Sequence, residues 1–151
     1  MKIFILIMTL FSLGYSGQRT FLVDKYDEEM ELEAKIISDI ATSSMTKEIK
    51  LFIPKISDME KKIYSKYFTL SEDCEASNFI FVNKTIENQT LCGTKDRLFF
   101  TNNYKRLLSD NKYYGAFFWH KSRPNIVFIK NRLEKNNILL PKSYTQFIED
   151  L

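Results

Sequence analysis

A chain of 151 residues, 44% hydrophobic and 27% charged, suits one globular domain and leaves little room for a second core or a long disordered tail. Its formal charge of +3 comes from 22 basic residues scattered among 19 acidic ones with no run of Lys or Arg, which argues against a nucleic-acid or anionic-lipid surface. The 13 Phe and 8 Tyr must supply much of the core, while 4 Gly and 3 Pro leave few sharp turns.

The chain opens on Lys2, an apolar or small stretch from Ile3 to Leu13, and small residues at Gly14 and Ser16. That is the pattern of an export signal cleaved after Ser16. The stretch is too short for a bilayer of about 30 Å, which needs roughly 20 residues. Residues 1–16 are therefore predicted to be a signal peptide and 17–151 a single domain in the periplasm or secreted, not membrane-embedded. Losing Lys2 lowers the charge to +2.

In the remainder, Asp24 is expected to cap a helix whose first turn is acidic (Asp27, Glu28, Glu29), matching the helix dipole. Met30, Ala34, Ile37, Ala41 and Met45 recur at helical spacing as its apolar stripe. Glu48 to Ile53 reads as a buried strand stopped by Pro54. Ser57 and Glu60 form a capping box for a second helix carrying Met59, Ile63 and Tyr64. A brief strand is expected over Lys66 to Leu70.

Phe79-Ile80-Phe81-Val82 is a continuous apolar run of the kind found in inner parallel strands, and Leu98-Phe99-Phe100-Thr101 is a second. Asn102 or Asn103 can cap a short helix bearing Tyr104, Leu107 and Leu108. Ala116 to Lys121 and Asn125 to Lys130 are strands separated by Ser122-Arg123-Pro124, a gap that joins only antiparallel neighbours. Two short helices are expected after them, from Asn131 to Asn136 and from Pro141 to Ile148, with Asn137 in the left-handed conformation between them. The predicted fold class is thus α/β in a single domain: a mixed, mostly parallel sheet with helices on both faces and a C-terminal antiparallel hairpin.

Cys74 and Cys92 are the only cysteines. In an oxidising compartment a bond between them closes a loop of about 18 residues, worth roughly 3 kcal/mol. Two buried free thiols are the alternative. A metal site is disfavoured, because His120 is the lone histidine and no Cys-x-x-Cys spacing exists.

Catalytic chemistry has little to work with. Any nucleophile–histidine pair would need His120, and no Gly-x-Ser-x-Gly elbow accompanies it. No Gly-x-Gly-x-x-Gly or Gly-Lys-Ser/Thr loop is present, so no nucleotide cofactor is expected. The triplets at Asn83 and Asn88 match the N-glycosylation pattern. Two surfaces stand out as binding candidates. The aromatic hairpin with Trp119, His120 and Arg123 suits a protein partner, since Trp and Arg dominate interface energies. Asn83, Thr101, Asn102 and Asn103 follow the carboxyl ends of strands, where open α/β sheets hold ligands.

The order of elements, with Cys74-Glu75-Ala76-Ser77-Asn78-Phe79-Ile80-Phe81, Gly115-Ala116-Phe117-Phe118, Val127-Phe128-Ile129-Lys130-Asn131 and Asn136-Asn137-Ile138-Leu139-Leu140, resembles the YfiR-like family of periplasmic regulatory domains. The resemblance spans most of residues 25–151 and is residue-level only in the last third. Ser44-Met45-Thr46 stands where the family has Trp-Pro, and Asn137 stands where it has Gly. The resemblance implies a non-enzymatic regulator that contacts an inner-membrane signalling protein, in some members under redox control. A small-solute-binding domain of the periplasm is the alternative expectation.

Overall fold

The computed structural model describes residues 17–83 and 93–151, with 17–25 as backbone alone; the expected export signal at 1–16, Cys92 and the Asn88-Gln89-Thr90 triplet lie outside them. The first helix, α1, runs Gly17–Ser44 with no acidic residue in its first turn. Asp24 therefore lies inside the helix and does not cap it. No Pro or Gly between Gly17 and Asp24 breaks a helix, so the helix continues upstream past the expected cap. Asp27, Glu28 and Glu29 sit too far along to meet the dipole, whose influence fades within a turn. The apolar stripe is as expected, with Met30, Ala34, Ile37 and Ala41 buried, Ile40 buried beside them, and Met45 packed at its end.

Strand β1 (Lys50–Phe52) leads to α2 (Asp58–Tyr64). There Ser57 Oγ accepts the Glu60 N–H at 3.2 Å, and the Ser57 N–H donates to the Glu60 carboxylate at 2.7 Å. This helix buries Ile63 and Tyr64, whereas Met59 faces solvent. Next come β2 (Thr69–Leu70), β3 (Phe79–Val82), β4 (Leu98–Thr101), α3 (Tyr104–Ser109), β5 (Tyr113–His120) and β6 (Arg123–Ile129). The chain closes with α4 (Lys130–Lys135), a 3-10 helix (Lys142–Phe147) and β7 (Ile148–Glu149).

Among the described residues the strands form one sheet in the order β2-β1-β3-β4-β5-β6-β7, parallel except for the β5–β6 hairpin. The hairpin turns on Lys121 and Ser122, both at positive φ (49° and 59°), in place of the longer turn read from the sequence. Two-residue turns with left-handed backbone match the twist of their strands. Arg123 and Pro124 thereby become strand residues, paired with His120 and Trp119. The final expected helix is a 3-10 turn, and its end adds β7 to the sheet parallel to β6. Asn137 is left-handed (φ 54°), as its position between the last helices requires.

Alternation along the strands fills two apolar layers. Phe79, Phe81, Phe100, Tyr114, Phe117 and Phe128 face α1 and α2. Ile80, Val82, Phe99, Tyr113, Val127 and Ile129 face α3 through Leu107. The register slips between Phe99 and Phe100, which pair with Tyr113 and Gly115, so Tyr114 is an extra residue on β5. This bulge turns both Tyr114 and Gly115 toward the α1 side. A Cβ at Gly115 would stand 2.6 Å from the Phe100 ring and 2.9 Å from the Val127 carbonyl, so only glycine fits.

Candidate ligand-binding cleft

Beyond the carboxyl ends of β3, β4 and β5 lies a cleft of about 240 Å³. Its floor is made where the strands stop. Asn83 follows β3, Asn102 follows β4, and Phe118 and Trp119 lie near the end of β5. Its far wall is α1, which contributes Tyr26, Glu29, Met30 and Glu33, and the first turn of α2 adds Glu60. Helical spacing explains the α1 wall, since residues three and four apart share a face.

Hydrogen bonds brace this arrangement. Tyr64 donates its hydroxyl proton to Glu33 at 2.8 Å, tying α2 to α1. Asn83 is buried and donates from Nδ2 to Glu60 at 3.2 Å. The Arg106 guanidinium of α3 donates to the Asn83 carbonyl at 2.8 Å, fixing the chain as it leaves β3. Trp119 packs edge-on against Phe117 with ring centres 5.8 Å apart, and Phe118 lies against Tyr104 at 5.3 Å. Asn102 Oδ1 is shut off from solvent and meets no hydrogen-bond donor.

The electrostatics of the cleft are one-sided. Its described lining holds three carboxylates and no basic side chain. The Tyr26 hydroxyl is pushed above its ordinary value by partial burial and then by the charges of Glu60, Glu33 and Asp27. Among the described residues no group of His, Cys, Asp and Glu is arranged to hold a metal ion.

The residues singled out in the sequence divide clearly. Asn83 and Asn102 reach the cleft, and so does Trp119, which the sequence assigned to the hairpin tip. Thr101 is fully buried; its hydroxyl donates to the Val82 carbonyl at 2.7 Å and accepts the Asn103 N–H. Asn103 caps α3 by accepting the Arg106 N–H. His120 and Arg123 face each other across the hairpin end, both exposed. Cys74 sits in the turn before β3, where its carbonyl accepts from Ser77 and from Arg97 Nε at 3.1 Å; its expected partner Cys92 is outside the described residues.

The α1 contribution and Glu60 were not legible as site residues. Glu29 and Glu33 flank the apolar stripe at a four-residue spacing, which is the signal that places them on one rim. Glu60 was explained by its capping role alone. No helix among the described residues is long and apolar enough to cross a membrane. No family model matches the chain, and neither a curated protein nor a solved structure matches it.

Proposed function

We propose that this chain is an exported regulatory domain, without chemistry of its own, that binds a small solute in the cleft at the carboxyl edge of its sheet. The observation that carries the reading is the convergence of Asn83, Asn102 and Trp119 with the α1 wall around one recess. Open α/β sheets bind ligands beyond their strand ends for a general reason: loops diverge there and leave backbone and polar side chains available. The likeness in element order to YfiR-like regulators and the leader-like pattern of residues 1–16 support export and a regulatory role.

A thermal-shift panel of neutral, zwitterionic, anionic and cationic solutes tests the binding. A solute that stabilises the protein, with the effect lost in Trp119→Ala, supports the reading; no stabilisation by any class of solute overturns it.

Signalling would pass by contact with an inner-membrane protein. What favours the hairpin end for that contact is its exposure, with His120, Lys121 and Arg123 all open to solvent around a two-residue turn. Pull-down from membranes should recover one inner-membrane protein with the wild-type chain and lose it with Arg123→Glu. Equal recovery by both chains would remove the hairpin from the interface.

A further inference from the structure

We propose a second ligand site, for a small monocarboxylate carrying a hydrocarbon body, in a recess at the carboxyl ends of β1 and β2. It shares no residue with the cleft at Asn83 and does not depend on the reading of that cleft.

The recess follows from the topology. From β1 the chain passes outward to β2 and then returns past β1 to β3, with all three strands parallel. Strand order therefore reverses at β1. Connections leave neighbouring strands in opposite directions at such a reversal, and open sheets hold ligands in the crevice this makes beyond the carboxyl ends. A recess of about 380 Å³ lies there, within the roughly 300–1,000 Å³ of small-molecule pockets.

Its floor is apolar. Leu51 and Ile53 are buried at the base, while Phe52, Ile56 and Leu70 are only partly covered around it. A hydrocarbon body laid on that surface would take it out of water, which is favourable in proportion to the area removed.

The rim is basic. Lys55 and Lys61 both line it, against the one carboxylate of Glu72. Neither lysine has an ion pair or a side-chain hydrogen bond among the described residues, whereas Lys66, Arg97, Lys112 and Lys130 each meet a carboxylate. Two ammonium groups beside an apolar floor favour an anionic head joined to an apolar tail, and they repel a cation. Lys55 is also left-handed (φ 54°), a conformation that glycine takes freely and lysine does not. The chain nonetheless places an ammonium group there, and an anionic head at the rim gives the strained position a use.

The test titrates the purified chain with hexanoate by calorimetry. Acetate serves as the head alone, hexanol as the neutral tail and hexylamine as the cationic counterpart. A tetrapeptide ending in leucine with a free carboxylate covers a head that belongs to a partner's chain end. Hexanoate should bind, and acetate should bind at least about tenfold more weakly because it cannot cover the floor. Hexanol should be at least about fivefold weaker, and salt at about 0.5 M should weaken hexanoate. Lys55→Gly and Lys61→Gln should each weaken it at least about threefold. Since Lys55→Gly also relieves the left-handed backbone, its Tm should stay within about 3 °C of the wild type.

The comparison among hexanoate, hexanol and hexylamine uses the unaltered chain, so it decides the charge preference even where a substitution disturbs folding. Equal binding of hexanol, or stronger binding of hexylamine, overturns the proposal, as does acetate binding as tightly as hexanoate. Hexanoate binding that ignores both lysine substitutions puts the anion elsewhere and overturns it too. Binding of the tetrapeptide without hexanoate overturns it in favour of a partner's chain end. If no probe binds below about 10 mM, the site falls and the cleft at Asn83 is untouched.

Discussion

Tyr64 gives its hydroxyl proton to the Glu33 carboxylate at 2.8 Å, so the second helix is fastened to the first through a buried ring at one side of the cleft. Burial, then the Glu33 charge and its hydrogen bond, push this hydroxyl well above its ordinary range. Tyr64→Phe keeps the ring and deletes the bond. Bonds to charged groups are worth roughly 1.5–3 kcal/mol, and Glu33 stays partly solvated, so a loss of about 1.5 kcal/mol is expected in urea denaturation. A loss below about 0.3 kcal/mol would show that the bond does not brace the helices.

Alkaline titration should find the same buried tyrosines. Burial raises Tyr113 to about 12 and drives Tyr114 upward too, although the Ser44 bond to Tyr114 works in the opposite sense. In the unfolded chain these hydroxyls ionise at their ordinary value of 10.0, so the unfolded state loses protons first as pH rises. Stability contributed by these groups is therefore complete below about pH 10 and is lost as pH climbs from there toward about 12. Ultraviolet absorbance at 295 nm should show Tyr113 and Tyr114 ionising only as the protein unfolds. Simultaneous ionisation of all tyrosines in the folded state would contradict the packing.

Gly115→Ala is expected to destabilise by about 2–3 kcal/mol. The new methyl would press on the Phe100 and Phe128 rings and on the Val127 carbonyl, and the last is backbone held in the hairpin ladder. Thermal unfolding monitored by near-ultraviolet circular dichroism checks it, because the affected residues are aromatic.

Arg132→Met should cost about 3 kcal/mol. The buried guanidinium donates to the carbonyls of Leu107 at 2.6 Å, Tyr113 at 2.7 Å and Asp110 at 3.2 Å, and to Asn111 Oδ1 at 3.0 Å. Removing it strands several acceptors away from water. Lysine lacks the planar fork, so Arg132→Lys is expected to recover only part of the loss in urea denaturation.

Much of this architecture is written in local pattern. The runs Phe79–Val82 and Leu98–Thr101 announce inner strands because both of their faces are covered, and the capping box at Ser57 and Glu60 marks its helix start in four residues. What escaped the sequence depends on distant partners. Arg132 reads as one more surface cation, yet its acceptors lie 19 to 25 residues upstream. The bulge at Tyr114 and the strand Ile148–Glu149 exist only because a neighbouring strand sets their register. The rule that strand ends make sites points to Asn83 and Asn102, which do line the cleft, while Glu29 reads in the sequence as serving the helix dipole and Glu33 is not singled out.

The proposed Cys74–Cys92 bond offers a direct check on the compartment. Closing a loop of about 18 residues stabilises by roughly 3 kcal/mol, so dithiothreitol should lower the Tm of oxidised protein by on the order of 10 °C. The variant Cys74→Ser should melt at the reduced value and ignore the reductant. Identical melting with and without reductant, together with two titratable thiols, would remove the bond and the redox expectation with it.

Among the described residues the sheet ends on either side in a strand of two residues, Thr69–Leu70 and Ile148–Glu149. Between them run β3 and β4, apolar enough to seed stacking of identical chains if their backbones were ever laid bare. Such short borders give an approaching chain few amide groups to zip onto, which works against edge-to-edge growth into fibrils.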